Sequence, residues 1–256
     1  MKLAKTIAVA QQKGGTGKTT TAAAIGAGLA GRGAKILFVD LDPQANLTFI
    51  AKGKQDGLTA FDILAGAKAT EAIQHTEKAD VIAATPNLAG TDGRLTGNDR
   101  AFRLKLALED VKRQYDYIVI DTPPALGLLT INAFTAADIV IIPCLADVFS
   151  IQATAGIAST LKTIKAQTNT KLKVAGIVVT RYNPRQIITR DTVTLLEKSA
   201  AAIGTKVFKT KIRDSVAVRE AQATQTDLFS YAPKSTSALD YAALLDELSA
   251  DLTSKH

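Results

Sequence analysis

Lys5-Thr6-Ile7-Ala8-Val9-Ala10-Gln11-Gln12-Lys13-Gly14-Gly15-Thr16-Gly17-Lys18-Thr19-Thr20 is the stretch on which the reading of this 256-residue chain turns. A short apolar run rich in β-branched residues gives way to clustered glycines, and a helix-compatible segment follows at once. Glycines without Cβ let successive backbone N–H groups turn inward onto an anion, and the N-terminus of the following helix adds partial positive charge. Such a loop cradles phosphates. At this spacing Lys18 would reach the β- and γ-phosphates of a nucleotide, and the Thr19 hydroxyl would ligate Mg²⁺. The usual G-x-x-x-x-G-K-[ST] pattern would need glycine where Gln12 stands, so the match is to a variant with an additional lysine, Lys13. The alternative, a glycine turn beside a solvated lysine, would leave the placement of Lys18 and Thr19 to coincidence. A second glycine pattern, Gly26-Ala27-Gly28-Leu29-Ala30-Gly31, spells a dinucleotide fingerprint but falls inside the helix, where small residues serve close packing on the sheet.

Working outward, short runs of Val and Ile recur with little polar alternation: Thr6–Ala10, Lys35–Val39, Asp80–Ala84, Tyr117–Ile120, Asp138–Ile142, Lys173–Val179 and Val207–Ile212. These read as strands buried on both faces of a parallel sheet. Between them lie helical stretches at Lys18–Gly31, Asp99–Arg113, Leu126–Ala137, Ile151–Ala166, Ile187–Ala202 and Ser235–Leu252. The expected fold is therefore α/β, a doubly wound and mainly parallel sheet with helices on both faces, forming one domain over residues 1–256. The glycine-rich Lys52–Gly97 region is the least regular, with short helices and one strand decorating an edge.

Two acidic positions complete the reading. The run Tyr117-Ile118-Val119-Ile120 ends in Asp121-Thr122-Pro123-Pro124, and a carboxylate at the end of a buried strand can hold Mg²⁺ through its water shell. Strand Lys35–Val39 ends in Asp40-Leu41-Asp42-Pro43, at the sheet edge where ligands bind in this architecture; a turn and helix cap is the alternative. The segment Lys13-Gly14-Gly15-Thr16-Gly17-Lys18-Thr19-Thr20, with its leading lysine and the Asp-Thr-Pro-Pro run, resembles the deviant Walker A group of P-loop ATPases, the ParA/MinD family. The resemblance extends over nearly the whole chain. It implies ATP and Mg²⁺ as cofactors, an ATP-bound homodimer, and Lys13 reaching across to the partner's nucleotide. It further implies that Asp40 holds a water on Mg²⁺ and that Asp42 orients or activates the attacking water. Lys13, Lys18 and Asp42 are then the catalytic candidates, Thr19, Asp40 and Asp121 the metal candidates, and Lys13 through Thr20 the phosphate cradle. In such proteins the base sits after a late strand, which points to Asn183 in Thr180-Arg181-Tyr182-Asn183-Pro184-Arg185, with Ile212-Arg213-Asp214-Ser215-Val216, Asp214 included, closing the other side. For Asn183 a plain Asn-Pro turn is the competing explanation.

Within that family the branches differ in partner. The net charge of +7 favours a polyanion, and basic residues concentrate in the last third: Arg181, Arg185, Arg190, Lys206, Lys209, Lys211, Arg213 and Arg219. Arg185, Arg190, Lys211, Arg213 and Arg219 are the DNA-contact candidates, expected to read backbone phosphate without sequence preference. A membrane anchor of the MinD sort needs an amphipathic helix with a basic polar face, whereas Ala238–Leu252 carries Asp240, Asp246, Glu247 and Asp251. That helix is expected to pack on the body of the protein, without stable membrane association. The lone Cys144 argues against a cluster carrier and reads as a core residue at a strand end. His75 and His256 have no partners at ligand spacing. No leader or membrane span is evident, and the first strand starts too early for a preceding DNA-reading domain, so a short-form, cytoplasmic, nucleoid-associated ATPase is expected. The resemblance adds a centromere-binding ParB-type adaptor that stimulates hydrolysis and releases DNA, segregating plasmid or chromosome. The competing expectations are a MinD-type membrane-associated positioning ATPase and an ATP-dependent metabolic enzyme.

Overall fold

The structure is a computed structural model describing residues 3–185 and 187–253, apart from the side chains of residues 148, 149, 151, 187–191, 202 and 253. Among the described residues, β1 (Lys5–Val9), β2 (Ile36–Asp40), β3 (Ile73–Gln74), β4 (Asp80–Ile82), β5 (Tyr117–Asp121), β6 (Ile139–Leu145) and β7 (Lys173–Thr180) form one sheet in the order β3-β4-β2-β5-β1-β6-β7. Every pairing is parallel except β3 with β4. The helices are α1 (Lys18–Ala30), α2 (Asn46–Ile50), α3 (Ala60–Ala65), α4 (Ala69–Ala72), α5 (Thr91–Arg94), α6 (Arg103–Glu109), α7 (Leu128–Ala136), α8 (Val148–Gln167), α9 (Ile187–Ala202), α10 (Val216–Ala223), α11 (Leu228–Tyr231) and α12 (Thr236–Thr253).

Continuous apolar runs appear because both sheet faces are covered. Alternate side chains of each strand enter opposite cores: Ile118 and Ile120 of β5 join one, Val119 the other; Val140 and Ile142 of β6 join the first, Ile139 and Ile141 the second. Helices α3, α6, α7, α8 and α9 close the first core, and α1, α11 and α12 the second. The internal glycines of α1 pack two ways. A Cβ on Gly26 would stand 2.2 Å from the Phe38 ring of β2, and one on Gly28 would stand 2.3 Å from Leu245 of α12. Close packing on the sheet thus accounts for Gly26, and close packing on the last helix for Gly28. Cys144 is buried next to the end of β6, where burial pushes its thiol up to about 11.

Three sequence expectations are corrected. The run Val207–Ile212 is not a regular strand: it lies beside β7 through single bridges at Ile177–Val207 and Tyr182–Arg213. Phe208 N–H bonds to Ile177 and Ile212 N–H to Val179, but between them the amides of Lys209 and Thr210 donate to the Glu247 carboxylate of α12. A side chain from the helix has replaced the ladder there. The Lys52–Gly97 region contributes two strands instead of one, because the two-residue β3 folds back antiparallel on β4. The helix expected from Asp99 starts only at Arg103: Asn132 of α7 donates to the Arg100 carbonyl and accepts from the Leu104 N–H, holding the entry as a turn.

Helix α12 packs on the body through Ala238, Tyr241, Leu244, Leu245 and Leu248, as its composition suggested. Its acidic face is also engaged. Asp240 grips Arg213 at 2.6 Å, Asp246 pairs with Arg32 at 2.8 Å, and Asp251 lies 3.6 Å from Lys206. No helix among the described residues is long and apolar enough to cross a membrane.

Candidate active site

The phosphate loop occupies the turn between β1 and α1. Gly15 at φ 73° and Gly17 at φ 83° lie in the left-handed region, which explains why glycine stands at both. A Cβ on Gly14 or Gly15 would meet nothing within 4 Å, so this part of the loop faces open space. Gly17 is the N-cap of α1 and offers no side chain, and the first turn holds no acidic residue. The leading N–H groups and the positive end of α1 are thus left for an outside anion. The loop is braced from behind by Thr180, the last residue of β7, whose hydroxyl donates to the Thr16 carbonyl at 2.8 Å. Beside the loop lies a cavity of about 650 Å³, a nucleotide-sized space, lined by Gly14, Gly15, Gly17, Lys18, Thr19 and Asp42 among others. A larger cavity of about 860 Å³ adjoins it across Thr20, Val218 and Gln222, but its wall is mainly apolar and includes none of the phosphate-loop glycines.

Lys18 is nearly buried. Burial pulls its ammonium below the usual lysine range, with the charges of Asp121 and Asp42 acting against that shift. Opposite it, β2 and β5 run in register so that Asp40 and Asp121 are paired neighbours at their ends, both fully buried. The two carboxylates differ in what they touch. Asp40 accepts from the Asp42 N–H at 3.0 Å, the Thr48 N–H at 2.7 Å and the Thr48 hydroxyl at 2.8 Å, so it holds the turn that presents Asp42. Burial still pushes its carboxyl up to about 6 despite those donors. Neither oxygen of Asp121 receives a hydrogen bond of ordinary geometry, although the Thr19 hydroxyl and the Lys18 ammonium are close enough to pull its carboxyl down. Burial first, and the Asp40 carboxylate second, hold Asp121 well above the usual carboxylate range. A buried carboxylate so thinly satisfied is costly unless something positive completes it. A hard divalent cation fits this donor set: Mg²⁺ prefers oxygen and keeps its waters, so the Thr19 hydroxyl with one or two acids behind water suits it.

Asp42 is almost buried, and one of its oxygens receives the Gln44 N–H at 3.0 Å. The residue before α2, Ala45, is non-glycine at φ 54°, so the corner after Asp42 is wound tightly against its preference. Lys13 turns to the far side of the loop. Its ammonium contacts both carboxylate oxygens of Asp147 at 2.8 and 2.7 Å, and Asp147 also caps α8 by accepting from the Ser150 N–H at 2.8 Å. Thr20 accepts from Gln222 of α10 at 2.9 Å, linking the loop helix to the wall of both cavities.

The base side is only partly as expected. Asp214 lines the cavity, together with Arg181 and Arg219, which lie 3.7 and 3.8 Å from it. Asn183 does not line it: the side chain is exposed and accepts from the Arg185 N–H at 3.0 Å, the plain turn that was the alternative. Of the DNA-contact candidates, Arg185 is exposed and Lys211 sits 5.6 Å above the Tyr182 ring. Arg213 is held by Asp240 through Nε and a terminal nitrogen, and Arg219 belongs to the cavity wall. The Arg190 side chain and His256 lie outside the described residues. Thr180, Arg181, Asp147 and Gln222 were not singled out for these roles. An Asp three residues before Ser150 at a helix start is a capping pattern that could have flagged Asp147; the others meet the loop only through tertiary packing.

Comparison with known proteins agrees with this geometry. A family profile described as an AAA domain matches residues 4–174. The chain is similar to the sporulation initiation inhibitor protein Soj of Bacillus subtilis, at 39% identity over 97% of this chain and 100% of that one. It is similar to the chromosome-partitioning ATPase Soj of Treponema pallidum, at 36% identity over 96% of this chain and 97% of that one. Among solved structures, the cobyrinic acid a,c-diamide synthase of Mycobacterium smegmatis with bound ATP analogue and magnesium superposes with a TM-score of 0.85 at 31% identity, covering 98% and 97% of the two chains.

Proposed function

The chain belongs to the AAA-domain family that includes the Soj chromosome-partitioning ATPases, as a ParA-type partition ATPase of the deviant Walker A group, and from that premise we propose a nucleotide-driven cycle of dimerisation and DNA release. One observation carries the reading: a glycine-rich loop open at Gly14 and Gly15 and at the uncapped start of α1 stands against paired, fully buried strand-end carboxylates.

In this reading Gly14 through Thr20 bind the phosphates of ATP through main-chain N–H groups, and Lys18 neutralises the β- and γ-oxygens. Mg²⁺ would be held by the Thr19 hydroxyl and, through water, by Asp121 and Asp40, and it supplies charge neutralisation across the β- and γ-phosphates. Asp42, presented by the Asp40-held turn, orients the attacking water. Asp214, Arg181 and Arg219 form the wall against which the base and ribose rest. Asn183 enters only if its turn opens. Phosphoryl transfer to water is mainly positioning and charge stabilisation, so a lysine delivered from a second subunit makes turnover wait for dimerisation. Lys13 is assigned that part. The ATP dimer would then hold DNA without sequence preference through Arg185, Arg190, Lys211 and neighbouring cations, with Arg213 and Arg219 as weaker candidates because each faces a carboxylate. A ParB-type adaptor would stimulate hydrolysis and so release the DNA.

Two measurements test this. Lys13→Ala should bind ATP as a monomer yet lose turnover; full activity would remove the cross-subunit role. Gel shift with DNA, set against vesicle flotation, each with and without ATP, separates partition from membrane positioning. A second reading, an ATP-dependent ligase, has the similarity to the diamide synthase in its favour and predicts no ATP-dependent gel shift at all.

A further inference from the structure

We propose that Asp147 is a positioning residue for Lys13, holding its ammonium within its own subunit until a second, nucleotide-bound copy draws it away. This rests on the reading that Lys13 acts on a partner's nucleotide.

The geometry supports a latch in three respects. Lys13 Nζ is 2.8 and 2.7 Å from the two oxygens of Asp147, so the carboxylate takes the ammonium with both of its atoms. Asp147 is itself immobilised, because one of those oxygens caps α8 on the Ser150 N–H at 2.8 Å. Asp147 is also absent from the residues lining the nucleotide cavity, so an ammonium seated on it is directed away from the subunit's own phosphates. A lysine so engaged cannot at the same time reach across to a facing triphosphate.

The strength of the pair suits a latch that opens. Its side chains are 29% and 34% exposed, leaving it within reach of water and of an approaching surface. An ion pair at such a site is weak, whereas a fully buried one would lock Lys13 permanently. A triphosphate offers the ammonium more negative charge than one carboxylate does, so exchange favours the dimer when the γ-phosphate is present. The latch is opened twice per dimer, once in each subunit. Asp147 therefore raises the ATP concentration at which dimers form.

The competing account makes Asp147 a helix cap only. Asp147→Asn and Asp147→Ser both discriminate, since asparagine and serine cap helices well and carry no charge. The full-length protein is titrated with a non-hydrolysable ATP analogue and Mg²⁺, and dimer fraction is read by sedimentation velocity. Both variants should dimerise more readily, by about two- to thirty-fold in the dimerisation constant, the range that two exposed ion pairs carry. Monomer affinity for ADP should be unchanged. A dimerisation constant equal to wild type, or a weaker one, in both variants overturns the latch. Wild-type protein that stays monomeric at saturating analogue overturns the underlying reading instead.

Discussion

Asp121 shows how a single side chain can be poor for the fold and necessary for the site. Both of its oxygens are buried with no hydrogen bond of ordinary geometry and only the nearby Thr19 hydroxyl and Lys18 to ease them, a situation that costs on the order of 1–3 kcal/mol. Asp121→Asn is expected to raise the melting temperature of the nucleotide-free protein while abolishing the extra stabilisation that Mg²⁺ adds to bound ADP; differential scanning fluorimetry with and without Mg²⁺ reads both. Asp40 has a related pH signature. Its folded-state carboxyl lies at about 6, above the usual 3.8, so its contribution to stability is present below pH 4 and is lost as pH rises towards 6. Melting temperature should therefore fall between about pH 4 and pH 6 more in the wild type than in Asp40→Asn, the two values that bracket this shift. At the residue scale the placement followed from the sequence, while the roles remain proposals: Lys18, Thr19 and Asp42 line the cavity beside the loop, and Asp40 and Asp121 stand buried at adjacent strand ends, since strand ends in a parallel sheet bring their following residues to one edge. Asn183 did not follow, because an Asn-Pro turn is satisfied locally by the Arg185 N–H and nothing in its neighbours revealed that.

At the scale of elements, two helices do more than cover the sheet. In α1, alanine at Gly26 would gain about 1 kcal/mol in helix propensity, yet the new Cβ would stand 2.2 Å from the Phe38 ring. Overpacking of this kind costs about 1–3 kcal/mol, so Gly26→Ala should destabilise on balance, measurable by urea denaturation. In α12 the acidic face works as a row of anchors. Glu247→Ala removes the acceptor of two backbone amides and should speed hydrogen exchange at Lys209 and Thr210, with a loss of about 1–3 kcal/mol. The apolar run Val207–Ile212 shows why a strand was expected there: its composition suits a sheet, but Glu247 outcompetes a neighbouring strand for the middle amides. Periodicity cannot register a carboxylate that arrives from thirty-odd residues later in the chain.

For the molecule as a whole, net charge and available charge are different quantities. The chain carries +7, yet α12 and Asp214 engage Arg213, Lys206 and Arg219. If the ATP dimer binds DNA through this region, Asp240→Asn should free Arg213 and make binding more salt-sensitive, steepening the log–log slope by about 0.9 for one added phosphate contact. An unchanged slope would remove Arg213 from the interface. The same engagement bears on the membrane alternative, since a helix whose acidic residues are tied to the body presents little to anionic lipid.

The amino-acid order alone determined the phosphate loop, the carboxylates at the ends of β2 and β5, and the doubly wound class, because these depend on local glycine geometry and on apolar runs that only a twice-covered parallel sheet can bury. Tertiary structure alone decided that Asp121 is fully buried with so little to satisfy it, that Lys13 rests on Asp147, and that Glu247 interrupts the last run beside β7. Each is a meeting of groups far apart in the chain, and such meetings are set by packing and competition for hydrogen-bond partners, which no local pattern encodes.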